Sequence, residues 1–210
     1  FNAETGVYAE GTQTAQALAL YLGLVPEGKE QLVADKLREV VAGNNYFLDF
    51  GLLGSKTVPA MLTKYGYIED AMKMITKTEA PSWGYWVETM GYSTLPETWT
   101  LSPKFADASL NHVFMGDVSA WMMNQLAGIN HDDSAPGFRH IRITPHFVKE
   151  LDWAKGEYHS VRGRIASEWK REGDQVMLTV TIPADCSADI VVGDQTETVS
   201  AGTHTFSYPV

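Results

Sequence analysis

The feature that most constrains this chain is a change of hydrophobic period near residue 135. Before it, apolar residues recur at helical spacing; after it, they alternate. Helices and strands bury their apolar faces in different geometries, so a single switch of period reads as two successive domains. The spacing predicts a helical part over residues 1–134 and a β part over 135–210, joined in the stretch 130–138. With 210 residues, 44% of them hydrophobic, the chain can bury a real core as one large domain or two small ones.

In the helical part, residues 12–22 are rich in Ala and Leu and stop at Gly23. That helix is apolar nearly all round, as expected of one placed inside a bundle. Residues 27–42 put Leu32, Val33, Leu37, Val40 and Val41 on one face and charged residues largely on the other. Further helices are expected over 57–64 and 68–78. The stretch NYFLDFGLLGS reads as a loop in which Asp49 is a turn acid. Residues 79–108 show little periodicity but carry Trp83, Tyr85, Trp86 and Trp99, and long loops inside compact domains tend to be functional. Ser109 then reads as the N-cap of a helix running to Gly128, with His112 in its first turn.

In the β part, strands are expected over 139–144, 158–169, 175–182, 188–192 and 204–208. Turn signals at 172–174, 183–185 and 193–194 separate them. The pattern predicts a small antiparallel β-sandwich.

Several functions are disfavoured at once. A net charge of −10 argues against binding a phosphate backbone, so nucleic acid is not an expected partner. No apolar run approaches the length of a membrane span, and no leader peptide is recognisable within the chain. The chain reads as soluble, with cytoplasm and periplasm both open. A single cysteine, Cys186, allows no internal disulfide. GxGxxG, P-loop, HExxH, CxxC and GxSxG patterns are missing, and His140 and His146 lack a third ligand at suitable spacing, so no cofactor or metal is expected.

Carboxylate chemistry remains. Glu97, among Leu95, Pro96 and Trp99, is poorly hydrated, which suits it to take or give a proton. Asn111 and His112 bring groups able to read sugar hydroxyls, and a histidine in a first helical turn can lean back toward the preceding loop. Residue types alone favour a plainer reading, in which Glu97 caps or salt-bridges a loop and His112 is an ordinary helix residue.

The segments GTQTAQALALYLGLVPE, FGLLGSKTVPAMLTKYGY, APSWGYWV, GYSTLPETW, SLNHVFMGDVSAWMMNQLAGI and GFRHIRITP, in this order, resemble the C-terminal part of bacterial α-L-rhamnosidases of glycoside hydrolase family 78. The resemblance covers nearly the whole chain. It implies part of an (α/α)6 barrel followed by a C-terminal antiparallel β-sandwich, and hydrolysis of terminal α-L-rhamnose from rhamnosides with inversion. It assigns Glu97 as general base, His112 as a contact to the rhamnose, and Trp99 and Trp83 as pocket walls. Pro96 departs from the family, where tryptophan is common at that position, and puts substrate preference in question. The resemblance also implies a general acid upstream of Phe1, so the chain is expected to be an inactive C-terminal fragment. Its apolar helix faces would then be covered by the N-terminal part of the same polypeptide or by another copy. Two other readings stay open: a carbohydrate-binding or scaffold protein without catalysis, and a helical-barrel hydrolase for another sugar.

Overall fold

The computed structural model describes residues 1–100 and 107–209. By internal contacts the chain divides into two compact units, Phe1–Ser119 and Ala120–Val210. No helix among the described residues is long and apolar enough to cross a membrane.

In the first unit, α1 (Gln13–Tyr21) begins where Thr12 Oγ1 accepts the Ala15 N–H at 3.2 Å. It ends at Gly23, whose positive φ lets the Leu24 N–H reach back to the Ala19 carbonyl. Two glutamines on this helix, Gln13 and Gln16, are fully buried. Each buried amide is satisfied by loop backbone. Gln13 donates to the Phe47 carbonyl and accepts from the Asp49 N–H, and Gln16 donates to the Gly6 carbonyl and accepts from the Tyr8 N–H. These amides make α1 the post to which two loops are tied.

The amphipathic α2 (Glu30–Gly43) buries Val33, Ala34, Leu37 and Val41. Burial of that kind stabilises by about 1.5–3 kcal/mol for each large aliphatic side chain. Helix α3 (Leu52–Lys64) packs on α1 and begins well before the expected 57, within the stretch read as a loop. Gly54 suggested a turn, yet it lies inside the helix. A Cβ there would sit 2.3 Å from Phe50 Cβ and 2.9 Å from Thr14 Oγ1, so the glycine marks close packing. Helix α4 (Ile68–Thr76) buries Asp70, whose Oδ2 pairs with Arg38 Nε of α2 at 2.7 Å.

The expected helix over 109–128 is broken into three pieces. A 3-10 turn, Val113–Gly116, leads into α5 (Asp117–Trp121), which spans the division between the units, and a π turn follows over Met122–Leu126. Ser109 is not a helix cap and His112 precedes the first turn, because their backbone groups are used elsewhere, as described below.

The second unit is one six-stranded mixed sheet. Its strands are β1 (Ile129–His131), β2 (His140–Ile143), β3 (Trp153–Ser160), β4 (Gly163–Glu172), β5 (Gln175–Val192) and β6 (Gln195–Pro209). The order is β1-β2-β5-β4-β3, with β6 also paired to β5. The expectation of an antiparallel sheet fails at one place: β2 and β5 run parallel, with His140 opposite Ser187 and Ile143 opposite Ile190. The turn expected at 183–185 is instead a bulge inside β5, where the β6 register shifts between Ile182 and Ser187 and Asp185 takes φ +58°. One long strand therefore replaces two short ones. Conversely, the single strand expected over 158–169 is a hairpin, β3–β4, that reverses after Ser160.

The sheet packs its core around Trp169, Ile141, Ile143, Ile165, Leu178 and Ile190, all essentially solvent-free. The Trp169 indole N–H donates to the Leu126 carbonyl at 2.7 Å, and the Arg171 guanidinium donates to the carbonyls of Phe147, Val148 and Leu151. His140 bridges Ser187 Oγ at 2.7 Å and Asp189 Oδ2 at 3.0 Å, pinning β2 to β5. His146 contacts the Gln125 carbonyl, and burial holds its pKa below the usual value. The two histidines thus have separate partners, and the described residues contain no cluster suited to a metal ion.

Candidate active site

The candidate site lies in the first unit, built on the segment that follows α4. Ser82 Oγ donates to the Lys77 carbonyl and accepts the Tyr85 N–H, turning the chain back on the end of α4. Gly84 sits at the point of closest approach, where a Cβ would lie 2.6 Å from the Lys77 carbonyl oxygen. A π turn, Tyr85–Thr89, follows and presents Trp86 inward.

Four aromatic rings then form one cluster. Trp99 stacks on Trp86 with centroids 4.4 Å apart, meets Trp83 edge-on at 5.3 Å, and meets Phe50 edge-on at 6.0 Å. Each indole N–H is taken by a backbone carbonyl: Trp83 by Met115 at 3.0 Å, Trp86 by Trp99 at 3.3 Å, and Trp99 by Phe50. Phe50 is positioned in turn by Gln13, which holds residues 47 and 49. Trp83 is 3% exposed and lies beneath the surface, whereas Trp99 is half-buried.

Residues 94–97 and 109–112 are drawn together by backbone bonds. The Glu97 N–H donates to the Ser109 carbonyl and the His112 N–H donates to the Leu95 carbonyl, both at 2.8 Å. Thr94 Oγ1 adds a bond to the Leu110 carbonyl at 2.7 Å. In return, the Ser109 N–H donates to Glu97 Oε2 at 3.0 Å. The two segments therefore form a closed neck. Residues 101–106 of the loop expected over 79–108 lie outside the described residues.

The neck brings the backbones of Glu97 and His112 together despite their separation in sequence. No hydrogen bond joins their side chains among the described residues. Glu97 is half-buried, with Oε2 occupied by the Ser109 amide. His112 is half-buried, its ring 5.6 Å from Phe114, and its Nδ1 is buried without a hydrogen-bond partner among the described residues. Leaving such a nitrogen unpaired costs about 1–3 kcal/mol unless something else supplies the bond. Beside the neck, a cavity of about 230 Å³ is lined by Gly91, Tyr92, Ser93, Thr94, Pro96 and Leu110. Asp49, Glu4, Glu10 and Glu88 are all exposed.

Sequence reasoning missed Ser109, Gln13 and Phe50. Ser109 acts through its backbone, which no side-chain pattern announces. The signal for Gln13 was available: a glutamine in an otherwise apolar helix must satisfy its amide somewhere.

Residues 1–126 match the model of the bacterial alpha-L-rhamnosidase 6 hairpin glycosidase domain, and residues 128–207 match the bacterial alpha-L-rhamnosidase C-terminal domain. An alpha-L-rhamnosidase of Streptomyces avermitilis is 28% identical over 90% of this chain, and one from an Alteromonas species is 28% identical over 86%. The chain spans only 18% and 20% of those proteins. The native α-L-rhamnosidase of Aspergillus terreus superposes with a TM-score of 0.90 at 28% identity, over 97% of this chain and 24% of that one. The Streptomyces avermitilis α-L-rhamnosidase complexed with L-rhamnose gives 0.86 at 25% identity, over 98% and 23%. With a family match over more than half its length and a second over the remainder, the chain belongs to the bacterial α-L-rhamnosidase family.

Proposed function

We propose that the polypeptide to which this chain belongs is an inverting glycoside hydrolase that releases terminal α-L-rhamnose from rhamnosides, with Glu97 as its general base. The reading is carried by the reciprocal bond between Glu97 and Ser109. The Ser109 N–H donates to Oε2 and fixes the carboxylate's orientation, so that Oε1 takes the proton from water. That water attacks the anomeric carbon on the face opposite the leaving group, and inversion follows. His112, with its unpaired buried nitrogen, bonds a sugar hydroxyl. Trp99 forms a wall of the pocket, and Trp83 braces that wall from below.

Inversion requires a second carboxyl group roughly 6.5–9.5 Å from the first to protonate the leaving oxygen. In this proposal the acid comes from outside the chain. The helical part, taken to end before β1 and so short of the expected 134, forms the C-terminal portion of an (α/α)6 barrel, the remainder forms the C-terminal β domain, and the isolated chain is inactive. A Glu97→Gln substitution in the complete polypeptide should lower rhamnose release from a chromogenic rhamnoside by about 10²–10⁴-fold, the usual range for general acid–base catalysis, with rhamnose binding largely kept. Retained turnover would remove Glu97 from the mechanism.

A further inference from the structure

We propose that Gln13 is a positioning residue for rhamnose binding: fully buried in α1, it sets the loop 47–50 and, through that loop, the Trp99 wall. The inference rests on the reading of Trp99 as a wall of the pocket. Between α2 and α3 the chain turns through two residues of left-handed backbone, Asn45 and Tyr46, and then runs from 47 to 51 without helix or strand. Such a stretch has no ladder to fix it, so its backbone groups must find partners elsewhere. Gln13 supplies two at once. Its Nε2 donates to the Phe47 carbonyl at 3.0 Å, and its Oε1 accepts the Asp49 N–H at 3.1 Å. The Phe47 carbonyl also accepts from Asn44 Nδ2, whereas the Asp49 N–H has Gln13 alone among the described residues.

The loop so held reaches both arms of the aromatic cluster. The Leu48 N–H donates to the carbonyl of Pro81, two residues before Trp83, at 3.3 Å. The Phe50 carbonyl accepts the Trp99 indole N–H, and the buried Phe50 ring lies 6.0 Å from both Trp83 and Trp99. Gln13 is thus two links from Trp99, amide to loop backbone and loop to indole. Glu97 is held separately, by neck bonds to Ser109 in which the loop takes no part. Removing the Gln13 amide should therefore displace the wall and leave the carboxylate in place, which is a defect of binding with little defect of chemistry. The same helix carries a matched control. Gln16 is equally buried, donates to the Gly6 carbonyl at 2.8 Å and accepts the Tyr8 N–H at 2.6 Å. Among the described residues, no hydrogen bond or ring contact joins residues 6–8 to the tryptophan cluster; Tyr8 stacks on Phe1 and bonds the Leu24 carbonyl. Losing either glutamine costs stability by stranding loop backbone groups, but only Gln13 connects to the site.

The test compares Gln13→Met with Gln16→Met in the complete polypeptide labelled with 5-fluorotryptophan, the Trp99 fluorine line being assigned by its absence from Trp99→Phe. Both substitutions should lower the melting temperature. Gln13→Met alone should move the Trp99 line and raise KM for a chromogenic rhamnoside about tenfold, with kcat changed less than about twofold, the pattern of a displaced binding group. Gln16→Met should leave the line and KM where they are. Should Gln13→Met not fold, Gln13→Glu keeps the acceptor for the Asp49 N–H and is read in the same two ways. A Trp99 line unmoved by loss of Gln13, or equal effects of the two substitutions on line and KM, would overturn the proposal by reducing Gln13 to a stability role. A moved line with unchanged KM would overturn it too, and would remove Trp99 from the pocket wall. Turnover retained in Glu97→Gln would sink the catalytic assignment and leave this inference standing.

Discussion

Trp83→Phe offers the sharpest test of how the site is held. The substitution keeps an aromatic ring in the cluster but deletes the N–H that reaches the Met115 carbonyl at 3.0 Å. That carbonyl belongs to the 3-10 turn directly after His112, and the Trp83 ring is 3% exposed, so little water is at hand to replace the bond. An orphaned buried acceptor costs about 1–3 kcal/mol. The smaller ring gives up on the order of 40 Å² of buried apolar surface, or about 1 kcal/mol more. The total, about 2–4 kcal/mol, corresponds to a fall of roughly 4–16 °C in the melting transition of a unit this size. A multidomain polypeptide need not unfold in one step, so the transition to follow is the one that loses the near-ultraviolet signal of the tryptophan cluster. KM for a chromogenic rhamnoside should change less than the stability does, because the ring lies beneath the surface. A melting transition unmoved within about 1 °C, with KM raised tenfold or more (about 1.4 kcal/mol), would refute the argument: Trp83 would then touch substrate and brace nothing.

Three further substitutions or conditions test the fold. Gly54→Ala should destabilise the first unit by about 1–3 kcal/mol, since the new methyl meets Phe50 at its Cβ, an atom that cannot swing aside; a raised melting temperature, as helix propensity alone would give, would contradict this. Ser167→Ala should leave the second unit as stable or up to about 1 kcal/mol more stable, because the wild-type hydroxyl is fully buried without a partner among the described residues; a loss above 1 kcal/mol by urea titration would reveal a bond. Glu157 is held down to about 2 by Arg164 and His159, and Asp189 is lowered by Thr198 and His140. Both folded-state values are depressed, so the stability these carboxylates contribute is present above their ordinary values and lost as pH falls from 4.5 toward 2. Glu157→Gln should flatten that part of the melting-temperature profile, and an unchanged profile would show that the Arg164 pair contributes nothing.

What was legible in the sequence depended on whether a residue's signal was local. The period-3.6 stripe of Val33, Leu37 and Val41 and the alternation around Ile141 and Ile143 were readable because each residue is buried by its place within its own element. Gly54 and the run Pro183-Ala184-Asp185 were misread for one reason. Glycine and proline commonly punctuate structure, and here they answer to packing: Gly54 to the approach of Phe50 and of Thr14 on α1, and the 183–185 stretch to a bend inside a continuing strand. The parallel β2–β5 pair was equally invisible, since alternation gives a strand's faces without its neighbours or its direction.

The candidate site divides along the same line. Residue type could flag Glu97 and His112 as candidates while favouring a plainer reading of both, and it was the ordered motifs, through the family resemblance, that pointed to Glu97, His112 and Trp99. How they are held could not be read. The carboxylate and the imidazole are placed by main-chain atoms, with Ser109 giving both its N–H and its C=O to Glu97 and Leu95 giving its C=O to His112. Almost any residue but proline provides an N–H, so Ser109 leaves no mark beyond its permissiveness. Placing the Glu97 carboxylate by its main-chain partners is therefore a structural inference. It also bears on why the expected helix fails to start at Ser109: a helix beginning there would turn the Ser109 C=O toward the Val113 N–H, away from the Glu97 N–H that it accepts in the neck.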